Sequence, residues 1–399
     1  MGADKDLERA EPKNDGTETE KPAAEAPETG KPMTIVDEFN SWLGHLVNSD
    51  GSDLHVKVGS PPMIRLRGIL RRVERDPLTA ADTQALVASI VPPDRRRRLD
   101  EEGEVDFAHS VQGVGRFRVN AFRQRGSTSI VLRKLRFGGP EFGEIGLPEV
   151  CRRLADEHRG LVLVTGPTGS GKTTTLSAMI EHINKSRAVH IVTIEDPIEV
   201  VYEDKVASIN QREVGLDTQS FLGALRVALR QDPDVILIGE MRDSDTVRTA
   251  LQAAETGHLV LSTLHTLDAT ETVNRIVDFF PPHQQQQIRF TLSGSLRGIL
   301  SQRLLPAIDG DRIPAVEVLV NTGRIQERII DASMTAEIRE VIQEGEYYGM
   351  QTFEQSLLEL VQTGKVAVEE AMVATTEPHD FRLMLEQAGI TEVGALRTV

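Results

Sequence analysis

Residues 163–179, LVTGPTGSGKTTTLSAM, carry the clearest chemistry in the chain. An apolar stretch enters a turn that fits Gly-x-x-x-x-Gly-Lys-Ser/Thr from Gly166 to Thr173, and the turn enters a helix-forming stretch. Glycines let successive backbone N–H groups turn inward around phosphate oxygens, and the start of the helix adds its positive end at the same place. Gly166, Pro167, Thr168, Gly169, Ser170, Gly171, Lys172, Thr173 and Thr174 are therefore expected to hold the phosphates of ATP. Lys172 would reach the β and γ phosphates, and the Thr173 hydroxyl would coordinate Mg²⁺. Downstream, DVILIGE sets Glu240 just past an apolar strand, where a carboxylate can hold the metal directly or through water. Between them, TIEDPIE offers Glu195, Asp196 and Glu199. Hydrolysis needs one acceptor to orient and deprotonate water, and residue types alone do not choose among the three.

Other candidates have ordinary structural readings. His258 and His265 bracket an apolar run without the spacing of a helical metal pair, and a strand histidine of this kind reads as a core or surface residue. DRRRRLD, residues 94–100, is short and flanked by acids, which reads as a solvated helix face or a subunit contact. In RFRVNAFRQR, Arg116 and Arg118 alternate onto one strand face, as in a sheet edge protected by charge.

The elements that must position these residues follow from pattern. IVDEFNSWLGHLV has helical spacing, and TAADTQALVASIV reads as a helix after a Thr cap. SDLHVKV, PMIRLRGIL, EVDFAHSV, RFRVNAF and STSIVLRKL are strand-like runs. Together they predict a small α+β domain over residues 33–135. Residues 136–148, RFGGPEFGEIGLP, have no period and are expected to be an interdomain hinge. LVLVT, VHIVTI, DVILIGE and HLVLSTL then alternate with helical stretches, which predicts an α/β domain with a parallel sheet over residues 149–375. Beyond Pro281 the pattern is read as largely helical with one further strand, VEVLV. Residues 1–32 are rich in Glu, Lys, Pro, Ala and Thr and are expected to be a disordered acidic tail, and 376–399 a C-terminal tail.

Composition narrows the function. The 399 residues suit two or three domains. A net charge of -16 argues against broad nucleic-acid binding, and 4% aromatic residues leave few base-stacking platforms. Cys151 is the only cysteine, so a disulfide framework and a cysteine-cluster zinc site are excluded and a reducing cytosol fits. The acidic N-terminus does not read as a signal peptide, and no apolar run reaches the roughly 18 residues of a membrane span.

TIEDPIE at 193–199, GEMRD at 239–243 and AAETGHLVLSTLHT at 253–266, together with SDLHVKVGSPPMIRLRG, GVGRFRVNAF and NQREVG, resemble the secretion and type IV pilus motor ATPases from Met33 to about Gly364. Within that family the chain looks most like the PilT-type retraction motors. The resemblance implies a PAS-like α+β N-terminal domain joined to a RecA-like P-loop ATPase domain with a helical C-terminal region. It also implies a homohexameric ring with ATP between subunits. It assigns the general base to Glu199, gives His265 the reading of the γ-phosphate, and leaves His258 structural. It sends Arg118 and Arg133 to the γ-phosphate of a neighbouring active site, with Arg123 a weaker candidate, and lets Arg242 pair with acids across the site.

The expected function is a hexameric ATPase motor for type IV pilus retraction and twitching motility, cytoplasmic and held at the inner face of the membrane by pilus machinery and an inner-membrane platform protein. Extension and secretion motors of the family usually carry a four-cysteine zinc insert and a longer N-terminal region; one cysteine rules out that insert and the PAS-like domain is expected to begin almost at once, which favours the retraction branch. AEIREVIQEGE keeps Ile338 and Arg339 of a motif typical of retraction motors and departs afterwards, which leaves an accessory retraction motor as an alternative. A pilus assembly or type II secretion ATPase, a nucleic-acid translocase and a non-hydrolysing ring are the remaining readings.

Overall fold

The computed structural model of the protein describes residues 33–390. The expected acidic tail at 1–32 lies outside the described residues. The first domain opens with α1 (Ile35–Asn48), whose Thr34 cap accepts from the Asp37 N–H. Then come β1 (Asp53–Val56), β2 (Met63–Leu66), β3 (Ile69–Arg72), α2 (Ala80–Ile90) and α3 (Pro93–Glu102). As expected, a Thr cap starts α2, through Thr79 and Asp82. The domain closes with β4 (Glu104–Val111), β5 (Gly115–Gln124) and β6 (Ser127–Lys134). The strands form one antiparallel sheet, ordered β3-β2-β1-β6-β5-β4. PMIRLRGIL, expected as one run, folds back as the β2–β3 hairpin, with Arg67 and Gly68 at positive φ in the turn. Phe39, Trp42 and Leu43 of α1 pack with Leu86 of α2 onto the sheet residues Phe117, Val119 and Leu132.

A linking segment follows, containing β7 (Arg136–Phe137) and a single 3-10 turn at Phe142–Glu144. The ATPase domain then runs through α4 (Val150–Ala155), β8 (Gly160–Thr165), α5 (Lys172–Ser186), β9 (His190–Glu195), β10 (Val200–Val201) and β11 (Ser208–Glu213). It continues with α6 (Phe221–Ala228), β12 (Val235–Ile238), α7 (Ser244–Glu255), β13 (Leu259–Leu264), α8 (Ala269–Asp278) and α9 (Pro282–Ser295). Next are β14 (Leu296–Pro306), β15 (Arg312–Val320), α10 (Gly323–Ile330), α11 (Ile338–Gln343), α12 (Phe353–Gln362), α13 (Val368–Ala374) and α14 (Pro378–Gln387). The seven-stranded sheet is ordered β11-β9-β12-β13-β8-β14-β15 and is parallel except for the β14–β15 pair. Residues of β8, β12 and β13 are all buried, which is why they read as continuous apolar runs.

Three expectations need correction. The region after Pro281 contains β14, an eleven-residue strand that follows α9 with no intervening turn. Gly294 and Gly298 flank that junction, yet the chain passes there from helix to strand directly. The expected hinge at 136–148 is docked along most of its length. Arg136 and Phe137 pair in parallel with Val200 and Val201, the Gly138 N–H donates to the Val201 carbonyl, and Phe142 is buried with Ile145 and Leu147 against the ATPase core. The expected C-terminal tail contains α14, whose Phe381 and Leu385 are buried in a cluster with Leu357, Val366 and Leu305. Its last residues, 391–399, lie outside the described residues.

Candidate active site

The ends of β8, β9, β12 and β13 converge on one cavity of about 460 Å³. These strands are neighbours in the sheet, so four separate stretches of sequence deliver side chains to a single edge. Between β8 and α5 the chain turns through Gly166 at φ 137, Gly169 at φ 82 and Gly171 at φ 94. At Gly166 a Cβ would also stand 2.3 Å from the Gln302 carbonyl, so both conformation and space demand glycine there. The Lys172 ammonium donates to the Gly166 carbonyl at 2.7 Å and the Pro167 carbonyl at 3.0 Å. Desolvation holds its pKa below the ordinary lysine value, opposed by Glu240. A cation stripped of water in this way gains most from a phosphate partner. Behind the loop, Thr175 and Gln302 bond side chain to side chain, tying α5 to β14.

Glu240 stands past β12 and accepts from Arg242 at 2.9 Å, while His265 Nε2 lies 3.2 Å from its other oxygen. Arg242, expected to pair with acids across the site, bonds Glu240 on its own segment. Thr173 and Glu240 line the same cavity and present hard oxygen donors, the chemistry Mg²⁺ takes when phosphates and water supply its other ligands. They fit that ion. Past β13, His265 is exposed to the cavity, whereas His258 binds the Ala253 carbonyl at the strand's other end, outside it.

The three carboxylates of TIEDPIE divide clearly. Glu195 is buried at 8% exposure and accepts from Thr193 at 2.6 Å and Gln211 at 3.2 Å. Burial pushes its pKa up. Asp196 and Glu199 are exposed and line the cavity, and Glu199 also lines a second one. That second cavity, of about 320 Å³, is where Arg118 and Arg133 stand, beside Thr173, Thr174 and Glu199 of their own chain. The two arginines are direct cross-strand partners on β5 and β6. Arg133 is held by Asp53 at 2.9 Å, and Arg118 lies 3.9 Å from Asp106. The resemblance sends them to a neighbour's site; within the single chain they line a cavity with Thr173, Thr174 and Glu199, where the strap from β7 to Pro140 lays the first domain against α5 and β10. Arg123 bonds Asp100 and Thr128 instead and does not line either cavity. The basic run 94–100 falls on α3, where Arg98 pairs with Glu102 and Arg96 bonds the Val91 carbonyl.

Sequence reasoning missed several residues around the site. Gln211 bridges Glu195, the Val200 carbonyl and the Tyr202 N–H, and Glu213 accepts from the Ile198 N–H, so β11 fixes the whole turn that carries Glu199. The NQREVG stretch that supplies both was visible, but nothing in it indicated a role. Gly139 packs so close to α5 that a Cβ would lie 2.1 Å from the Ser177 carbonyl.

The arrangement can hold a polyphosphate at the loop and offers oxygen donors suited to a divalent cation, with the exposed Glu199 and several cations lining the adjoining cavities. Residues 31–382 match the family model described as Type II/IV secretion system protein. The chain is 46% identical over 344 residues to the type IV pilus retraction ATPase PilT of Pseudomonas aeruginosa, covering 86% of this chain and 100% of that relative. It is 41% identical over 350 residues to the type IV pilus ATPase PilU of the same organism, covering 88% and 91%. A crystal structure of the pilus retraction motor PilT with bound ADP superimposes with a TM-score of 0.81 at 46% identity, covering 88% of this chain and 100% of that one.

Proposed function

The chain belongs to the Type II/IV secretion system protein family, and from that premise we propose that it is an ATP hydrolase whose work is the retraction of a type IV pilus, and hence twitching motility. The observation that carries this reading is the full-length match to a retraction ATPase, at 46% identity, around an intact phosphate loop. Backbone N–H groups of the loop from Gly166 to Gly171, Pro167 excepted, cradle the β and γ phosphates, and Lys172 neutralises them. Thr173 and Glu240 hold Mg²⁺, which supplies charge neutralisation when bound with the nucleotide. Glu199 takes the proton of the attacking water, the role its position in the family's motif implies; Glu195 is buried and already hydrogen-bonded, and Glu199, unlike Asp196, also lines the cavity of Arg118 and Arg133. His265 contacts the γ-phosphate, and Arg118 and Arg133 stabilise the charge that develops there, from the same chain's first domain.

The motor works as a homohexamer, docked through an inner-membrane platform protein at the cytoplasmic face. Among the described residues no helix is long and apolar enough to cross a membrane, so in this reading attachment runs through partners. Deleting the gene in its host and counting pili tests the function. Excess pili with lost surface motility are expected, and disappearance of pili would instead make the protein an assembly motor.

A further inference from the structure

One buried acid has no part in the mechanism above. Glu317, on β15, is 6% exposed, although β15 is the edge strand of the sheet. Its carboxylate accepts from the Ala269 N–H at 2.7 Å. Ala269 is the first residue of α8, and only the turn from His265 to Asp268 separates it from β13. Asp268 already caps the Glu271 N–H, so Glu317 satisfies a different donor of the same helix end. In the other direction Glu317 lies at the end of a row that crosses the sheet, with Leu264 beside Thr165, Thr165 beside Ser301, and Ser301 beside Glu317. Thr165 donates to Ser301 at 3.1 Å, and Ser301 donates to Glu317 at 3.5 Å. Thr165 is the residue before Gly166, and Leu264 is the residue before His265.

We propose that Glu317 is a positioning residue for hydrolysis, a buried carboxylate that locks the first turn of α8, and with it the His265 loop, to the strand row at the root of the phosphate loop. A buried charge is costly unless it is bonded, and here the bonds reach both flanks of the nucleotide site. Its charge state matters to the lock. Burial pushes the Glu317 carboxyl up to about 7; Asp268 on the α8 cap and Glu354 on α12 push the same way, while the Ala269 N–H and Arg339 on α11 oppose them. The ionised form is the stronger acceptor for Ala269, so the His265 loop is held more firmly above neutrality than below it.

This inference rests on the ATP-hydrolysing reading, which wild-type turnover tests by itself; the variants test the inference relative to wild type, and amide exchange tests it without turnover. Glu317→Ala should lower kcat by about tenfold or more while KM stays within about threefold, the pattern of an interaction lost from the transition state. Glu317→Gln keeps the shape and stays neutral, so the rise in kcat through about pH 7 expected of wild type should flatten. Both variants should speed amide exchange at residues 265–272 while exchange in β8 stays slow. A Glu317→Gln protein with the wild-type pH profile and wild-type exchange at 265–272 would overturn the proposal, whether or not Glu317→Ala folds.

Discussion

Substituting Gly139 by alanine adds a single methyl group at the point where the interdomain strap crosses α5. The backbone there is not in the left-handed region, so the requirement is for space alone. The new Cβ would lie 2.1 Å from the Ser177 carbonyl oxygen, 2.6 Å from its carbon and 2.9 Å from the Glu181 Cβ. Carbon–oxygen contacts settle at about 3.3 Å or more, so the strap must lift by roughly 1 Å. The neighbouring Gly138 N–H to Val201 carbonyl bond, at 2.8 Å, cannot survive such a lift unless β10 follows. Losing that bond and overpacking the contact should cost about 1–3 kcal/mol of stability. If β10 follows, Glu199 moves with it, because Glu199 immediately precedes β10. A misplacement of about 1 Å can cost about 10²-fold in rate. Steady-state ATP hydrolysis should therefore fall by one to two orders of magnitude (about 10- to 100-fold). ADP affinity, set by the phosphate loop, should change by less than about threefold, measured by titration with a fluorescent ADP. A Gly139→Ala protein with unchanged melting temperature and turnover within about twofold of wild type would refute the coupling of strap to catalytic turn.

Further outcomes follow from the site. Lys172→Ala should lose nucleotide binding and turnover together, whereas Glu199→Gln should keep ADP binding and lose turnover, because an amide cannot take the water's proton; normal turnover in the latter would remove Glu199 from that role. Mixing Arg118→Ala with Glu199→Gln protein should restore no activity at any ratio, since both groups face the same chain's site; recovered turnover would place the arginine in a neighbour's site. Glu317 also predicts a pH effect on stability. Its folded pKa is raised, so the folded state binds the extra proton and wild-type stability falls as pH climbs from the ordinary 4.5 to about 7. The shift corresponds to about 3 kcal/mol, so thermal unfolding should show Glu317→Gln gaining on wild type between pH 5 and 8, and parallel curves would refute the burial of a charge there.

The phosphate loop was legible because its function depends on contiguous residues, Gly166 to Thr173, whose backbone does the binding. The four apolar strands were legible because parallel strands buried on both faces lose all polar alternation. What escaped depends on contacts distant in sequence. Glu317 sits in VEVLV, where a charge reads as the solvent face of an edge strand; α8 and α12 cover that face, and no local pattern records it. The docking of residues 136–142 was hidden for a related reason. Gly138 and Gly139 look like hinge residues, yet Gly139 is there to let two backbones approach. Arg118 and Arg133 were found as candidates, but which chain's nucleotide they face is a matter of domain placement, which strand spacing does not encode.

The place of β8 in the sheet has a consequence for the protein's birth on the ribosome. Its hydrogen-bonding neighbours are β13, Leu259–Leu264, and β14, Leu296–Pro306. The phosphate loop is synthesised long before either flank exists, and the Gln302 side chain that braces α5 arrives with β14. A nascent chain halted before Leu296 carries the whole nucleotide motif and only one neighbour for the strand that presents it. Ligand can stabilise only a state that binds it, so what ATP contributes to the emerging polypeptide is limited by how far the site is assembled. The interval between motif and site is then a stretch of translation in which the apolar strand β8 lacks one of its two neighbours.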